Sequence, residues 1–251
     1  MGFWEGTTSF PQACEALALH LVRAAGIKPG SCVLDVGHGS GDSLLMQLSH
    51  PLVPRPKLLY GITSLKTHHI RSEERVGALL ASKPDLAQDV EVTLSCGDAV
   101  CGLGDNHHPL SSDASYRFDT ILALDCAYHF RTRECFLRQC FQRLAPGGKL
   151  ALADICFASV PGAATLFVLT SILHVLPKEN AVTIERYIQD MRHIGFVDVK
   201  MEDITNQVFP GFQDFLRGQG LMWRFFAGMI GWLHKSKGRF VIVVGTKPKA
   251  M

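Results

Sequence analysis

Val33-Leu34-Asp35-Val36-Gly37-His38-Gly39-Ser40-Gly41-Asp42 is a short apolar run that ends in an acid and breaks into alternating glycines. Such a pattern reads as a buried strand entering a tight loop. Gly37, Gly39 and Gly41 let the backbone turn sharply and approach a ligand without side-chain collision. The helix that follows offers its free N–H groups to that ligand. A dinucleotide fingerprint spaces its glycines G-x-G-x-x-G, whereas here they fall G-x-G-x-G and Asp42 stands at the third dinucleotide position. A carboxylate there repels a pyrophosphate. Asp35, at the strand end, suits a ligand bearing an ammonium and a sulfonium better than one bearing phosphates.

Outward from this loop, short β-type runs alternate with stretches of helical period, which predicts a parallel sheet covered by helices. A helix over 11–25 buries Ala13, Leu17, Leu21 and Ala24 and stops at Gly26. Strands follow over 31–36, 57–63, 90–95, 118–125 and 149–154, with a polar surface loop at 104–116 and a helix over 133–144. Ala145-Pro146-Gly147-Gly148 reads as a turn. After the fifth strand, 161–176 and 212–232 are apolar, aromatic and helical in pattern. Between them a helix over 183–194, Gly195 as its C-cap and a strand over 197–202 form a regular unit. A last strand covers 239–245. The expectation is one domain over 1–251: a lid and first helix at 1–30, a binding core at 31–155, cap segments at 156–182 and 205–235, and sheet completion at 183–204 and 238–248.

Bulk properties narrow the function. A chain of 251 residues buries one sizeable core, and 47% hydrophobic with 19% charged residues is an ordinary globular composition. With a net charge of +2 and scattered basic residues there is no basic stripe, which argues against nucleic-acid binding. The eight cysteines show no paired spacing, so a reducing compartment and no disulfide framework are expected. The first ten residues fit neither a secretory signal nor a myristoylation site, and the most apolar window, 163–176, is too short to span a bilayer. The chain reads as soluble and cytoplasmic, with membrane-surface contact left open. His107-His108 near Cys101 and Asp105 match no zinc spacing and read as a solvated loop, so no metal is expected.

V-L-D-V-G-x-G-x-G resembles the cofactor loop of the class I S-adenosylmethionine-dependent methyltransferases, and later signals come in that family's order. Tyr60-Gly61-Ile62-Thr63-Ser64 is similar to the G-I-T form of a small-molecule subgroup containing tocopherol, sugar and cyclopropane-type (type 11) enzymes. No acid stands there to hold a ribose; the resemblance implies Thr63 and His68 instead, while an exposed His68-His69 pair opening the next helix is the other reading. Cys96-Gly97-Asp98-Ala99 resembles the family's G-D-A step, in which Asp98 accepts from the adenine amino group and the Ala99 N–H meets the ring; a plain turn is the alternative. Phe118 to Phe130, with Asp125, Tyr128 and His129, resembles the strand-four signature. Ligands of open parallel sheets sit beyond the carboxyl ends of the strands, which puts Asp125 to Phe130 at the site, and the resemblance implies that Asp125 lies at the cofactor. It is not the Asn/Asp-Pro-Pro-Tyr type, which counts against nucleic-acid or glutamine methylation. Leu144-Ala145-Pro146-Gly147-Gly148-Lys149-Leu150 resembles the family's turn into strand five. The resemblance implies a Rossmann-like α/β fold of seven mostly parallel strands, an antiparallel last strand, helices on both faces and a helical cap after strand five. Asp35, Gly37, Gly39 and Gly41 would hold the methionine end of S-adenosylmethionine.

Methyl transfer from a sulfonium needs the acceptor held in line and, for a hydroxyl or carbon acid, a base. His129 and Asp154, at adjacent strand ends, are the candidate catalytic pair: a His general base oriented by a carboxylate, as the resemblance also implies. The alternative is that His129 caps a helix and Asp154 ends a strand. Phe3, Trp4 and Phe10 precede the first helix, where the resemblance implies a segment folded over the cofactor. Phe209, Phe212, Phe215, Trp223, Phe225, Phe226 and Trp232 leave three readings open: an apolar acceptor pocket, a membrane or dimer contact, or core. The expected activity is methylation of a small, partly apolar acceptor, preferably at oxygen. Rivals are C- or N-methylation of a lipid-like acceptor at a membrane surface, and a non-catalytic cofactor-binding module. Oligomeric state stays open.

Overall fold

The apolar run around Val33 forms β1 (Cys32–Val36) at the centre of a computed structural model that describes residues 1–114 and 116–249. Ser115, in the expected surface loop, and Ala250 and Met251, at the end of the expected single domain, lie outside the described residues. β1 pairs in parallel with β2 (Leu58–Thr63) on one side and β4 (Phe118–Leu124) on the other. β3 (Glu91–Cys96) extends the sheet beyond β2, and β5 (Leu144–Phe157) extends it beyond β4, both in parallel. β7 (Gly238–Thr246) inserts antiparallel between β5 and β6 (Val197–Asp203), giving the order β3-β2-β1-β4-β5-β7-β6. This is the seven-stranded, mostly parallel sheet with a reversed last strand that the sequence predicts. Strand order reverses between β1 and β4, and the crevice at such a reversal is where open α/β sheets bind ligands.

Alternation along the strands sorts the core into two layers. Val33, Leu122, Ala151 and Ala153 face α1 (Phe10–Ala25), α2 (Asp42–Ser49), α3 (Lys66–Ser82) and α8 (Thr205–Gly218). Leu34, Val36, Ile121, Leu150 and Leu152 face α5 (Arg133–Arg143) and α7 (Ile184–Ile194). In α1 the positions Ala13, Leu17 and Leu21 recur every four residues and are all buried, each leucine contributing about 2 kcal/mol. α7 starts at the Thr183 cap, whose hydroxyl accepts from the Arg186 N–H at 3.2 Å, and stops at Gly195 with φ 117°.

The structure departs from expectation at several points. Ala145-Pro146-Gly147-Gly148 is not a turn before a strand but an irregularity inside β5, since Phe118 stands opposite Leu144 and Thr120 opposite Lys149. Left-handed Gly147, at φ 79°, allows the chain to swell there and rejoin the ladder. The 161–176 stretch holds only the short α6 (Ala163–Phe167), which passes into a π-helical turn at Val168–Ile172. The 212–232 stretch is divided between α8 and α9 (Leu221–Lys235), broken at Gly220 with φ 115°. A short α4 (Pro84–Asp89) leads into β3. Among the described residues no helix is long and apolar enough to cross a membrane.

The aromatic residues of the lid and cap fall into separate groups. Phe209 is fully buried against Phe240 in the core. Phe10 stacks on Phe215 with centroids 4.7 Å apart, and Trp4 packs beside the same ring. Trp223, Phe225 and Phe226 are exposed on α9. The Phe3 and Trp4 amides donate to the carbonyls of Ala13 and Gln207, both at 2.8 Å, so the segment expected as a lid is tied to α1 and α8. Gly211 on α8 makes room for it: an added Cβ would lie 2.3 Å from the Trp4 Cβ. Gly211→Ala is therefore expected to release the first few residues while the sheet stays folded. Hydrogen exchange of the Phe3 and Trp4 amides should accelerate at least about tenfold with little change at Leu34 or Leu122; unchanged exchange at Trp4 would refute this docking.

Candidate active site

The C-terminal ends of β1 to β4 open into a cleft of about 520 Å³. Six of the residues singled out by sequence for cofactor contact line it together: Gly37, Gly39, Thr63, His68, Asp98 and Ala99. His129, the candidate base, forms part of the same wall. Gly37 is left-handed at φ 78°, and a Cβ there would lie 2.6 Å from the Cys126 Sγ, so only glycine fits. A Cβ on Gly39 would meet no protein atom within 4 Å, leaving open space above the loop.

The Asp98 turn is held from behind. Asp98 Oδ1 accepts the Val100 N–H at 2.9 Å, which fixes the carboxylate in the cleft. His108, read from the sequence as part of a solvated loop, is instead buried at 4% exposure. Its Nδ1 accepts the Leu110 N–H at 3.0 Å, which leaves Nε2 to donate to the Asp98 carbonyl at 2.9 Å. A neutral imidazole thus pins the turn that carries Asp98 and Ala99.

Three of the expected cofactor residues stand off the cleft wall. Gly41, at φ 91°, caps α2. Asp35 shares a face of β1 with Val33 and points toward α2, where Gln47 Nε2 donates to its Oδ2 at 2.7 Å. Burial pushes its pKa up to about 6. Asp125 lies just past β4 in a left-handed conformation, φ 57°; its carboxylate accepts from the Tyr128 hydroxyl at 3.1 Å and meets the Met1 amino group. A non-glycine residue in this region is strained, and such strain concentrates at functional sites.

His129 and Asp154 are not brought into a hydrogen-bonded pair. Asp154 shares a face of β5 with Leu150 and Leu152, so its side chain enters the layer under α5 and α7 and is fully buried. Arg133 Nη1 donates to its Oδ2 at 2.8 Å, the Tyr187 hydroxyl donates to the same oxygen at 2.8 Å, and the Ile155 N–H donates to Oδ1 at 2.9 Å. Arg133 also donates to the Ile155 and Asn180 carbonyls at 2.9 and 2.7 Å and lies 4.2 Å from the Tyr187 ring centroid. Asn180, which nothing in the sequence singled out, joins this network to the His129 turn (Ala127–His129). Its Nδ2 donates to the carbonyls of Tyr128 at 3.0 Å and Phe130 at 2.8 Å, on either side of His129, while its Oδ1 accepts the Arg133 N–H at 3.0 Å. Desolvation lowers the His129 pKa below the ordinary imidazole value, which keeps the ring neutral and able to accept a proton near pH 7.

Cys126 and Phe130, in the stretch expected at the site, also line the cleft, as does Arg131, which was not singled out by sequence. Arg131 carries the one signal that could have found it, a cation directly after an aromatic-His pair at a strand end.

Two measurements check this arrangement. Because folded Asp35 holds its proton up to about pH 6, against an ordinary aspartate value of 3.8, the folded state binds more protons than the unfolded one across that window. Stability from this group therefore falls as pH rises through it, by about 3 kcal/mol in total. Asp35→Asn should match the parent in unfolding free energy near pH 4, apart from a constant offset, and gain on it steadily up to pH 7. Buried His38, with its pKa lowered to about 4 from 6.5, works with the opposite sign over nearly the same range, so the variant's stability should rise between pH 4 and 6.5. A pH-independent difference would contradict the burial of Asp35. Asn180→Ala strands two carbonyls and an N–H in the interior and should cost at least about 3 kcal/mol in denaturant unfolding; a loss under 1 kcal/mol would contradict the network.

No protein-family model matches the chain. Among known proteins it is similar to an erythromycin 3''-O-methyltransferase of Saccharopolyspora erythraea, 29% identical over 228 residues that cover 86% of this chain and 67% of that one. It is also similar to a 27-O-demethylrifamycin SV methyltransferase of Amycolatopsis mediterranei, 26% identical over 212 residues that cover 83% of this chain and 70% of that one. Among solved structures, the [4+2]-cyclase SpnF superposes with a TM-score of 0.71 at 20% identity, over 99% of this chain and 88% of that one, a likeness of fold.

Proposed function

Because the chain shares the fold and the sequence pattern of the class I S-adenosylmethionine-dependent methyltransferases, we propose that it methylates a hydroxyl of a small molecule, with His129 as general base. The observation that carries this reading is a neutral imidazole on the wall of the glycine-loop cleft, in a turn clamped on both sides by Asn180. The cleft residues fit the cofactor. The open space above Gly39 admits a ligand against the loop backbone, and Asp98 keeps Oδ2 for an amino group while Oδ1 is occupied. Thr63 and His68, on the same cleft wall, offer a hydroxyl and an imidazole to ribose hydroxyls, whereas the Asp125 carboxylate, already met by the Met1 amino group and the Tyr128 hydroxyl, holds the strand-four turn. Asp35 supports the loop from beneath.

S-adenosylmethionine, when bound, supplies an electrophilic methyl group on a sulfonium. The cleft would hold the acceptor oxygen in line with that methyl group, and His129, on its wall, would take the proton that the hydroxyl gives up on methylation. Asp154 acts here as a positioning residue, through Arg133 and Asn180, rather than by touching the imidazole. The preference for oxygen draws on the two relatives named as methyltransferases of erythromycin and a rifamycin, the first of them at oxygen 3''.

Calorimetric titration with S-adenosylmethionine and with NADH, on the parent and on Asp98→Ala, is the primary test. Micromolar binding of S-adenosylmethionine alone, weakened at least about tenfold by the substitution, is expected; preferential NADH binding would overturn the reading. His129→Ala should keep that affinity within about twofold and lower kcat at least about a hundredfold. In the parent, kcat/KM should fall toward acid with a midpoint below the ordinary imidazole pKa. Turnover on carbon or nitrogen acceptors but on no hydroxyl would overturn the choice of oxygen, and cofactor binding with no turnover on any acceptor panel would reduce the protein to a binding module.

A further inference from the structure

His129 and Arg131 line not one cavity but two. Besides the glycine-loop cleft they line a second space of about 330 Å³, whose other polar walls are Thr132, Thr170, His174 and Glu179, with apolar lining at Leu176 and Pro177. Building on the methyltransferase reading above, we propose that this second cavity is the acceptor subsite and that it takes a neutral, hydroxyl-rich ring, a glycosyl group, with Arg131, His174 and Glu179 setting specificity.

Charge and hydrogen-bonding capacity select that class. Neither Arg131 nor Glu179 has an ion-pair partner among the described residues. An anionic acceptor would meet the Glu179 carboxylate, and a cationic one the Arg131 guanidinium. An acceptor with only carbon surface would cover part of both these exposed side chains and return no bonds. A ring carrying several hydroxyls satisfies donors and acceptors together, since each hydroxyl donates once and accepts twice. Its C–H faces suit the apolar lining at Leu176 and Pro177. The volume lies at the small end of the ~300–1,000 Å³ typical of ligand sites, enough for one ring while the rest of a larger molecule stays outside.

The backbone around the cavity is itself unusual. The wall residue Thr170 belongs to the π-helical turn Val168–Ile172, and His174 is left-handed at φ 49°. Both irregularities are energetically unfavourable and concentrate at functional sites. They occur within seven residues of one another in chain order, at the wall of this cavity. The aromatic residues of α9 that suggested an apolar pocket do not line it.

Saturation-transfer NMR on the protein loaded with S-adenosylhomocysteine, with methyl α-L-rhamnopyranoside, phenol and geraniol as probes, tests the proposal. The glycoside is expected to receive saturation in preference to the other two. Glu179→Ala and His174→Ala should each weaken its binding at least about tenfold, while Glu179→Gln, which keeps a hydrogen-bonding oxygen, should lose less than about threefold. S-adenosylhomocysteine affinity should stay within about twofold in all three variants, which separates a specificity role from a folding defect. Preferential binding of phenol or geraniol, no binding of the glycoside, or glycoside binding indifferent to Glu179→Ala would overturn the assignment while leaving the methyltransferase reading intact. Failure of S-adenosylhomocysteine itself to bind would take down both.

Discussion

The buried guanidinium of Arg133 holds the working end of this molecule together. It reaches Asp154 on β5, lies over Tyr187 on α7, and shares Asn180 with the turn that carries His129. Taking two charges out of water is costly, and an incompletely paired network would be worse than an apolar filling. Here the polar atoms of Asp154 are met from three directions, and burial pushes the Tyr187 hydroxyl pKa well up, so it remains a donor. A network satisfied in this way specifies one arrangement of strand, helix and turn. The position of His129 is thus set by groups it does not touch.

A second buried polar pair sits under the glycine loop, on the opposite face of the sheet. Asp35 and His38 are both held toward their neutral forms by desolvation, the first by raising its pKa and the second by lowering it. Their effects on stability nearly cancel between pH 4 and 6. The loop therefore combines a rigid glycine backbone with interior groups whose net proton demand is small.

Much of the fold was legible because its signals are local. The Val33–Val36 run, the glycine spacing, the period of α1 and the Gly195 cap each depend on neighbours within a few residues, and each appears where the sequence puts it. The Asp98 turn was legible for the same reason. Asp35 and Asp154 were misplaced although the rule that places them was available: both obey the alternation of their own strands, and residues inside a pleat project into helix layers rather than past the strand ends. His108 and Asn180 had no local signal at all. One is an imidazole in a polar loop and the other an asparagine after Pro-Lys-Glu, and each acquires its role only from carbonyls brought near by the fold.

The insertion of β7 between β5 and β6 bears on how the chain assembles. β6 has β7 as its sheet neighbour, and β7 follows it in the sequence by way of α8 and α9. The parallel half of the sheet can form as its strands emerge, each docking beside one already made. β6 must wait as an unpaired strand until the final strand slides into the gap and bonds to both neighbours at once. Closure of that gap is a long-range pairing of the kind that slows folding and leaves exposed edges meanwhile. During synthesis the vulnerable interval therefore lies between the appearance of β6 and the arrival of β7.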